Sequence, residues 1–160
     1  MNMKMVSPLE VGISCRDLPA LRRFYEDVLD FQFVSEFVVP ADKARAAAMS
    51  AAGYTVVRLQ TSYGERIKLI QAVEAGELPA PTEWILDRPT SSYLTFIVAD
   101  IDAAIARLQA AGASFMTGPG RIEVRPGVYL AFCRDPEGNV LELVEYADIR
   151  EYRNDLDKRN

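Results

Sequence analysis

From Leu9 to Cys15 the chain alternates. Val11, Ile13 and Cys15 fall on one side and Glu10, Gly12 and Ser14 on the other, which predicts a strand. Asp17-Leu18-Pro19 then opens a helix, because Asp can cap it and Pro is tolerated in its first turn. Leu18, Leu21, Phe24, Tyr25, Val28 and Leu29 recur at helical spacing and form its apolar stripe. Phe31 to Val39 is aromatic and β-branched and reads as a second strand. An Ala-rich helix is predicted over Ala41 to Ala52, closed by Gly53. Tyr54 to Gln60 and Arg66 to Val73 form a hairpin about Ser62-Tyr63-Gly64, with Ile67 and Leu69 facing one way and Arg66, Lys68 and Ile70 the other. Residues 74–90 hold Pro79, Pro81 and Pro89 without a period and read as a linker, with Trp84, Ile85 and Leu86 as its apolar patch.

The same order then returns. Ser92 to Val98 is a strand, and Asp100 caps a helix with Ile101, Ala104, Ile105, Leu108 and Ala111 on its buried stripe, stopped by Gly112. Ala113 to Thr117 is a short strand, a loop begins at Gly118-Pro119-Gly120, and Val128 to Arg134 is another strand. Asp135-Pro136-Glu137-Gly138-Asn139 makes a turn into a last strand, where Leu141 and Leu143 face one side and Glu142 the other. A carboxylate there faces either the wet side of an edge strand or a polar partner, since burying it unpaired is costly. Gly12-Ile13-Ser14-Cys15-Arg16-Asp17-Leu18 overlays Thr95-Phe96-Ile97-Val98-Ala99-Asp100-Ile101, each a strand, then Asp, then an amphipathic helix. The expected organisation is a module over 7–73, a linker over 74–90, a second module over 91–146 and a charged tail over 147–160.

Composition narrows the chemistry. The chain has 160 residues, 49% hydrophobic and 26% charged, the balance of an ordinary globule large enough for a core without metal or disulfides. Its net charge of -5 argues against a nucleic-acid partner. No apolar run approaches the about 18 residues of a membrane span, and Met1 to Pro8 lacks the apolar core of a signal peptide. Cys15 and Cys133 lie in apolar runs and read as small buried hydrophobes, so a cytoplasmic location is expected. With no histidine, imidazole bases, triads and metal ligands are excluded, and two cysteines make no zinc site.

The doubled strand-helix-strand-strand-strand order resembles the vicinal oxygen chelate superfamily, which includes glyoxalase I, extradiol dioxygenases and bleomycin-resistance proteins. The residues that carry the likeness are Glu10-Val11-Gly12-Ile13, Asp17-Leu18 with Phe24-Tyr25, Val98-Ala99-Asp100-Ile101-Asp102-Ala103-Ala104, and Asp135-Pro136-Glu137-Gly138-Asn139 with Glu142-Leu143. The resemblance implies an α+β fold of two paired βαβββ modules forming a cupped mixed sheet around a cleft. It also implies a ligand position on the first and fourth strand of each module, here Glu10, Lys68, Tyr93 and Glu142. Metal-dependent members usually carry His at the first and third of these. An ammonium at Lys68 repels a divalent ion, and two glutamates make a poor site, so no metal and no other cofactor is expected.

Parity places Glu10, Lys68, Tyr93 and Glu142 opposite the apolar stripes of their strands, and these are the candidate catalytic residues. Ser14, Arg66 and Thr95 on the same faces, with Trp84 in the linker, are candidates for substrate contact. In this reading Lys68 stands in for the metal's charge, the carboxylates supply base and acid, and Lys68 or Tyr93 stabilises an enolate-like oxyanion. The expected function is metal-independent isomerase, epimerase or lyase chemistry beside a carbonyl of a small molecule. The alternative is a non-catalytic small-molecule binder of the bleomycin-resistance type, with a cationic ligand drawn by the acidic balance and stacked on Trp84, Phe37 or Tyr54. Lys43 and Arg45 could belong to a lid, and Arg121, Arg125 and Arg134 could hold an anionic group or simply face solvent. Superfamily members commonly dimerise, and sheet edges need cover, so a homodimer is expected.

Overall fold

A computed structural model of the chain describes residues 5–156. The expectations that fall on residues 1–4 and 157–160 lie outside the described residues. The chain divides between Ala80 and Pro81 into two compact units. Each is built from strands whose alternate residues feed a core under a helix.

In the first unit β1 (Glu10–Ser14) leads to α1 (Leu18–Arg23). The Asp17 carboxylate accepts a hydrogen bond from the Ala20 N–H at 2.9 Å and so caps this helix. The predicted helix continues as a wider π-helical turn, Phe24–Val28. Phe24 and Tyr25 are both buried there, and Tyr25 meets Phe31 edge to face at 5.4 Å. Asp30 closes the segment with φ 58°. β2 (Gln32–Val39), α2 (Ala41–Ala46), β3 (Tyr54–Gln60) and β4 (Arg66–Ala72) follow. The Ala-rich helix is thus shorter than predicted. Its last turn ends with Ala48 at φ 56°, and the Ser50 hydroxyl bonds the Gly53 carbonyl instead.

The sheet order is β1-β4-β3-β2, with β1 and β4 parallel and the other pairs antiparallel. α1 packs on one face. Leu21, Leu59, Ile67 and Leu69 are buried there. Burying such side chains is the main source of stability, each contributing about 1.5–3 kcal/mol.

The second unit opens with a 3-10 turn, Ile85–Asp87, inside the predicted linker. β5 (Tyr93–Ile97), α3 (Ile101–Ala110), β6 (Ser114–Phe115), β7 (Ile122–Arg125), β8 (Val128–Arg134), β9 (Val140–Tyr146) and α4 (Ile149–Tyr152) complete it. The sheet order is β5-β9-β8-β6, with β7 also on β8 and β5 parallel to β9. α3 lies on β8 and β9 and buries Ile101, Ile105 and Leu108. β7 was expected to be loop. All four of its residues are exposed, so no buried side of a period marks it in the sequence.

Asp135 is the buried charged residue of the turn between β8 and β9. Its carboxylate accepts from the Glu137 and Asn139 N–H groups at 2.9 Å and from Asn139 Nδ2 at 2.8 Å. Gly138 adopts φ 86° inside this loop, a conformation that favours glycine. The turn therefore sets the β8–β9 register, Phe132 opposite Glu142. Cys15 and Cys133 are both buried, as expected. Among the described residues no helix is long and apolar enough to cross a membrane.

Candidate functional site

β4 sends Ile67 and Leu69 into the core and turns Arg66, Lys68, Ile70 and Ala72 to the face opposite α1. Register then decides the neighbours. In the parallel β1–β4 pair Glu10 lies opposite Arg66, Gly12 opposite Lys68 and Ser14 opposite Ile70. In the antiparallel β3–β4 pair Arg58 lies opposite Lys68 and Tyr54 opposite Ala72.

A cavity of about 380 Å³ opens on this face. Gly12 and Ser14 of β1, Lys68, Ile70 and Ala72 of β4 and Tyr54 of β3 line it, and Met49 and Ser50, from the segment after α2, form a further wall. Gly12 keeps it open: a Cβ there would lie 3.5 Å from Ile70 Cδ1 and 3.9 Å from Lys68 Cε, so a larger side chain would fill the space. The Lys68 ammonium has no ion pair or hydrogen bond with a described residue. A charge kept half-buried and unpaired beside two hydroxyls and a phenol is suited to an incoming oxygen.

The sequence-predicted residues separate by this geometry. Glu10 is ion-paired with Arg66 at 3.8 Å, not with Lys68, because register puts the guanidinium directly across from it. Arg66 also donates to Gln60 Oε1 at 2.6 Å, so this substrate-contact candidate already has protein partners. Ser14 lines the cavity with Lys68. In the second unit Thr95 lies opposite Glu142 and donates its hydroxyl to Glu142 Oε2 at 2.6 Å. Tyr93 is exposed and meets Phe132 edge to face at 5.4 Å. Trp84 precedes the 3-10 turn, its backbone N–H on Asp87 Oδ2 at 3.1 Å and its indole exposed.

Arg58 was missed. Its strand's own alternation (Tyr54, Val56, Arg58, Gln60) was the available signal. Its guanidinium lies over the Phe37 ring, 4.7 Å from the centroid, so an internal cation already takes the aromatic face suggested for a cationic ligand. Arg45 donates to the Ala51 carbonyl at 2.8 Å, Arg134 to the Gly138 carbonyl at 2.8 Å, and Arg121 pairs with Asp102 at 3.5 Å and Glu145 at 3.8 Å. These three act as local braces.

The donors do not fit a divalent metal. Of the four ligand positions, Glu10 is engaged by Arg66, Lys68 is a cation, Tyr93 packs on Phe132 and Glu142 is one carboxylate. Among the described residues no group of three or more His, Cys, Asp or Glu is placed to hold one.

Several solved structures share the fold. A glyoxalase family protein from Bacillus cereus matches with TM-score 0.74 at 20% identity, over 91% of this chain and 97% of that one. A glyoxylase/bleomycin resistance protein/dioxygenase domain from a Frankia species matches with TM-score 0.67 at 22% identity, over 89% and 93%. A glyoxalase family protein from Enterococcus faecalis matches with TM-score 0.64 at 22% identity, over 91% and 100%. Comparison with curated proteins gives no significant match. The sequence profile of one family matches residues 8–143. The chain belongs to the Glyoxalase/Bleomycin resistance protein/Dioxygenase superfamily.

Proposed function

We propose that this protein binds a small carbonyl compound in the cavity of its first unit and acts on it by metal-independent acid–base chemistry. The observation that carries the reading is the half-buried, unpaired Lys68 ammonium in a cavity of about 380 Å³, with Ser14, Ser50 and Tyr54 beside it. That volume suits a small molecule. Lys68 polarises the carbonyl oxygen. When a base takes the proton from the neighbouring carbon, the C–H electron pair moves into the carbonyl and the resulting oxyanion is held by the ammonium. Return of the proton to the other face, or to another atom, gives epimerisation or isomerisation; loss of a β-leaving group with the electron pair gives a lyase step.

Tyr54, the ionisable group that lines the same cavity as Lys68, is the proposed proton carrier. Glu10 is not, because Arg66 holds it in an ion pair. The test is deuterium exchange into a panel of small carbonyl compounds, followed by NMR. Exchange abolished in both Lys68→Met and Tyr54→Phe, with the fold intact by circular dichroism, supports the reading. Exchange lost on chelation and restored by Zn²⁺, Ni²⁺ or Fe²⁺ overturns it. A second reading, sequestration without turnover, draws on the absence of an unpaired carboxylate among the residues lining this cavity. It predicts binding with no exchange in any variant.

A further inference from the structure

The cavity of the first unit is longer than a carbonyl group needs, and register gives the order of its parts. Lys68, Ile70 and Ala72 line it in a row along β4. At about 3.3 Å per residue, the Cα atoms at the two ends of that row are about 13 Å apart. Gly12 stands opposite Lys68, Ser14 opposite Ile70 and Tyr54 opposite Ala72. Lys68 carries the charge of the lining, so one end of the trough is charged and the other is not. Polar demand falls away in the same direction. The Ser50 hydroxyl is already engaged, donating to the Gly53 carbonyl at 3.1 Å and accepting from the Ala52 N–H at 3.3 Å. Ile70, Ala72 and Met49 line the space with carbon and sulfur. The backbone that carries Met49 is held, its N–H on the Ala44 carbonyl at 2.9 Å and the Arg45 guanidinium on the Ala51 carbonyl at 2.8 Å. The Met49 side chain itself is 51% exposed, and a thioether adapts to carbon chains of different shape.

We infer that the carbonyl compound bound here carries an alkyl arm of several carbons, its oxygen at Lys68 and the arm laid over Ile70 toward Ala72, against Met49. The inference rests on the proposed function for the role of Lys68 and adds the substrate's apolar part. Gly12 keeps the head of the trough open, since a Cβ there would already touch Ile70 Cδ1 at 3.5 Å and Lys68 Cε at 3.9 Å. The carbon that joins the arm to the carbonyl then lies on the side of Lys68 toward Tyr54, where the proposed proton transfer needs it. Complete burial of one methylene strengthens binding about fourfold. A trough open on one side returns about half of that free energy, or about twofold per methylene.

The test titrates the full chain with 2-butanone, 2-pentanone, 2-hexanone and 2-heptanone, followed by the amide NMR shifts of Ile70 and Ala72. The expected result is an affinity that climbs about twofold per added methylene, so that 2-heptanone binds about eightfold more tightly than 2-butanone. Ala72→Phe fills the far end and Met49→Gln makes its wall polar, so each should pull that ratio below about threefold. Met49 is half exposed, so its variant carries the test even if Ala72→Phe does not fold by circular dichroism. A ratio below about threefold in the natural chain, a ratio that survives Met49→Gln and Ala72→Phe, or failure of 2-heptanone to shift either amide at millimolar concentration overturns the inference. The two readings separate. A chain-length dependence without proton exchange into any ketone keeps this inference and removes the catalytic one, whereas exchange into every ketone with affinity independent of length does the reverse.

Discussion

Replacing Asp135 should damage this protein out of proportion to the residue's place in a surface turn. The side chain is 5% exposed and accepts hydrogen bonds from Glu137 N–H and Asn139 N–H at 2.9 Å and from Asn139 Nδ2 at 2.8 Å. A hydrogen bond to a charged group contributes about 1.5–3 kcal/mol. Three would total more than 4 kcal/mol if independent, but they share one carboxylate and water reaches part of the loop, so Asp135→Ala should cost about 3–4 kcal/mol. Asp135→Asn keeps the shape and one good acceptor, and should cost about 1–2 kcal/mol. The assay is urea denaturation followed by circular dichroism, comparing midpoints at unchanged slope. A loss below about 1 kcal/mol for Asp135→Ala would refute the argument that this carboxylate holds the turn.

Other outcomes follow from the core and its titration. Burial, with the Asp135 charge nearby, pushes the Cys133 thiol up from 9.0 to about 11. The folded state thus keeps its proton where the unfolded chain loses it, and the stabilisation is present below pH about 9 and disappears as pH rises toward about 11. Urea midpoints measured across that window should fall more in the natural chain than in Cys133→Ala, and alkylation of Cys133 should require unfolding. Leu69→Ala removes a fully buried side chain from β4, directly behind Lys68, and should cost about 2–5 kcal/mol in the same denaturation assay. Thr95→Val removes the hydroxyl that donates to Glu142 Oε2 and should cost about 1 kcal/mol in the same assay.

Much of this was legible along the chain. Alternation placed Glu10, Gly12 and Ser14, and Lys68 and Ile70, on the face away from the core, since a period of two is a local property of the backbone. Capping by Asp17 and Asp100 and the Asp135–Asn139 turn were equally local, because each side chain bonds backbone within four residues. The repeat of strand, Asp and helix disclosed the family before any coordinates. What local pattern leaves undetermined is which residue stands across from which. Register belongs to pairs of strands distant in sequence, and a shift of two residues keeps every face unchanged while exchanging every neighbour. For that reason Glu10 meets Arg66 where Lys68 was expected, Arg58 comes to oppose Lys68, and Ser50 from the segment after α2 joins the cavity. The sequence by itself decided the elements, their faces and the poverty of metal donors; tertiary structure decided the partners, and the partners determine which charge is left free for a ligand.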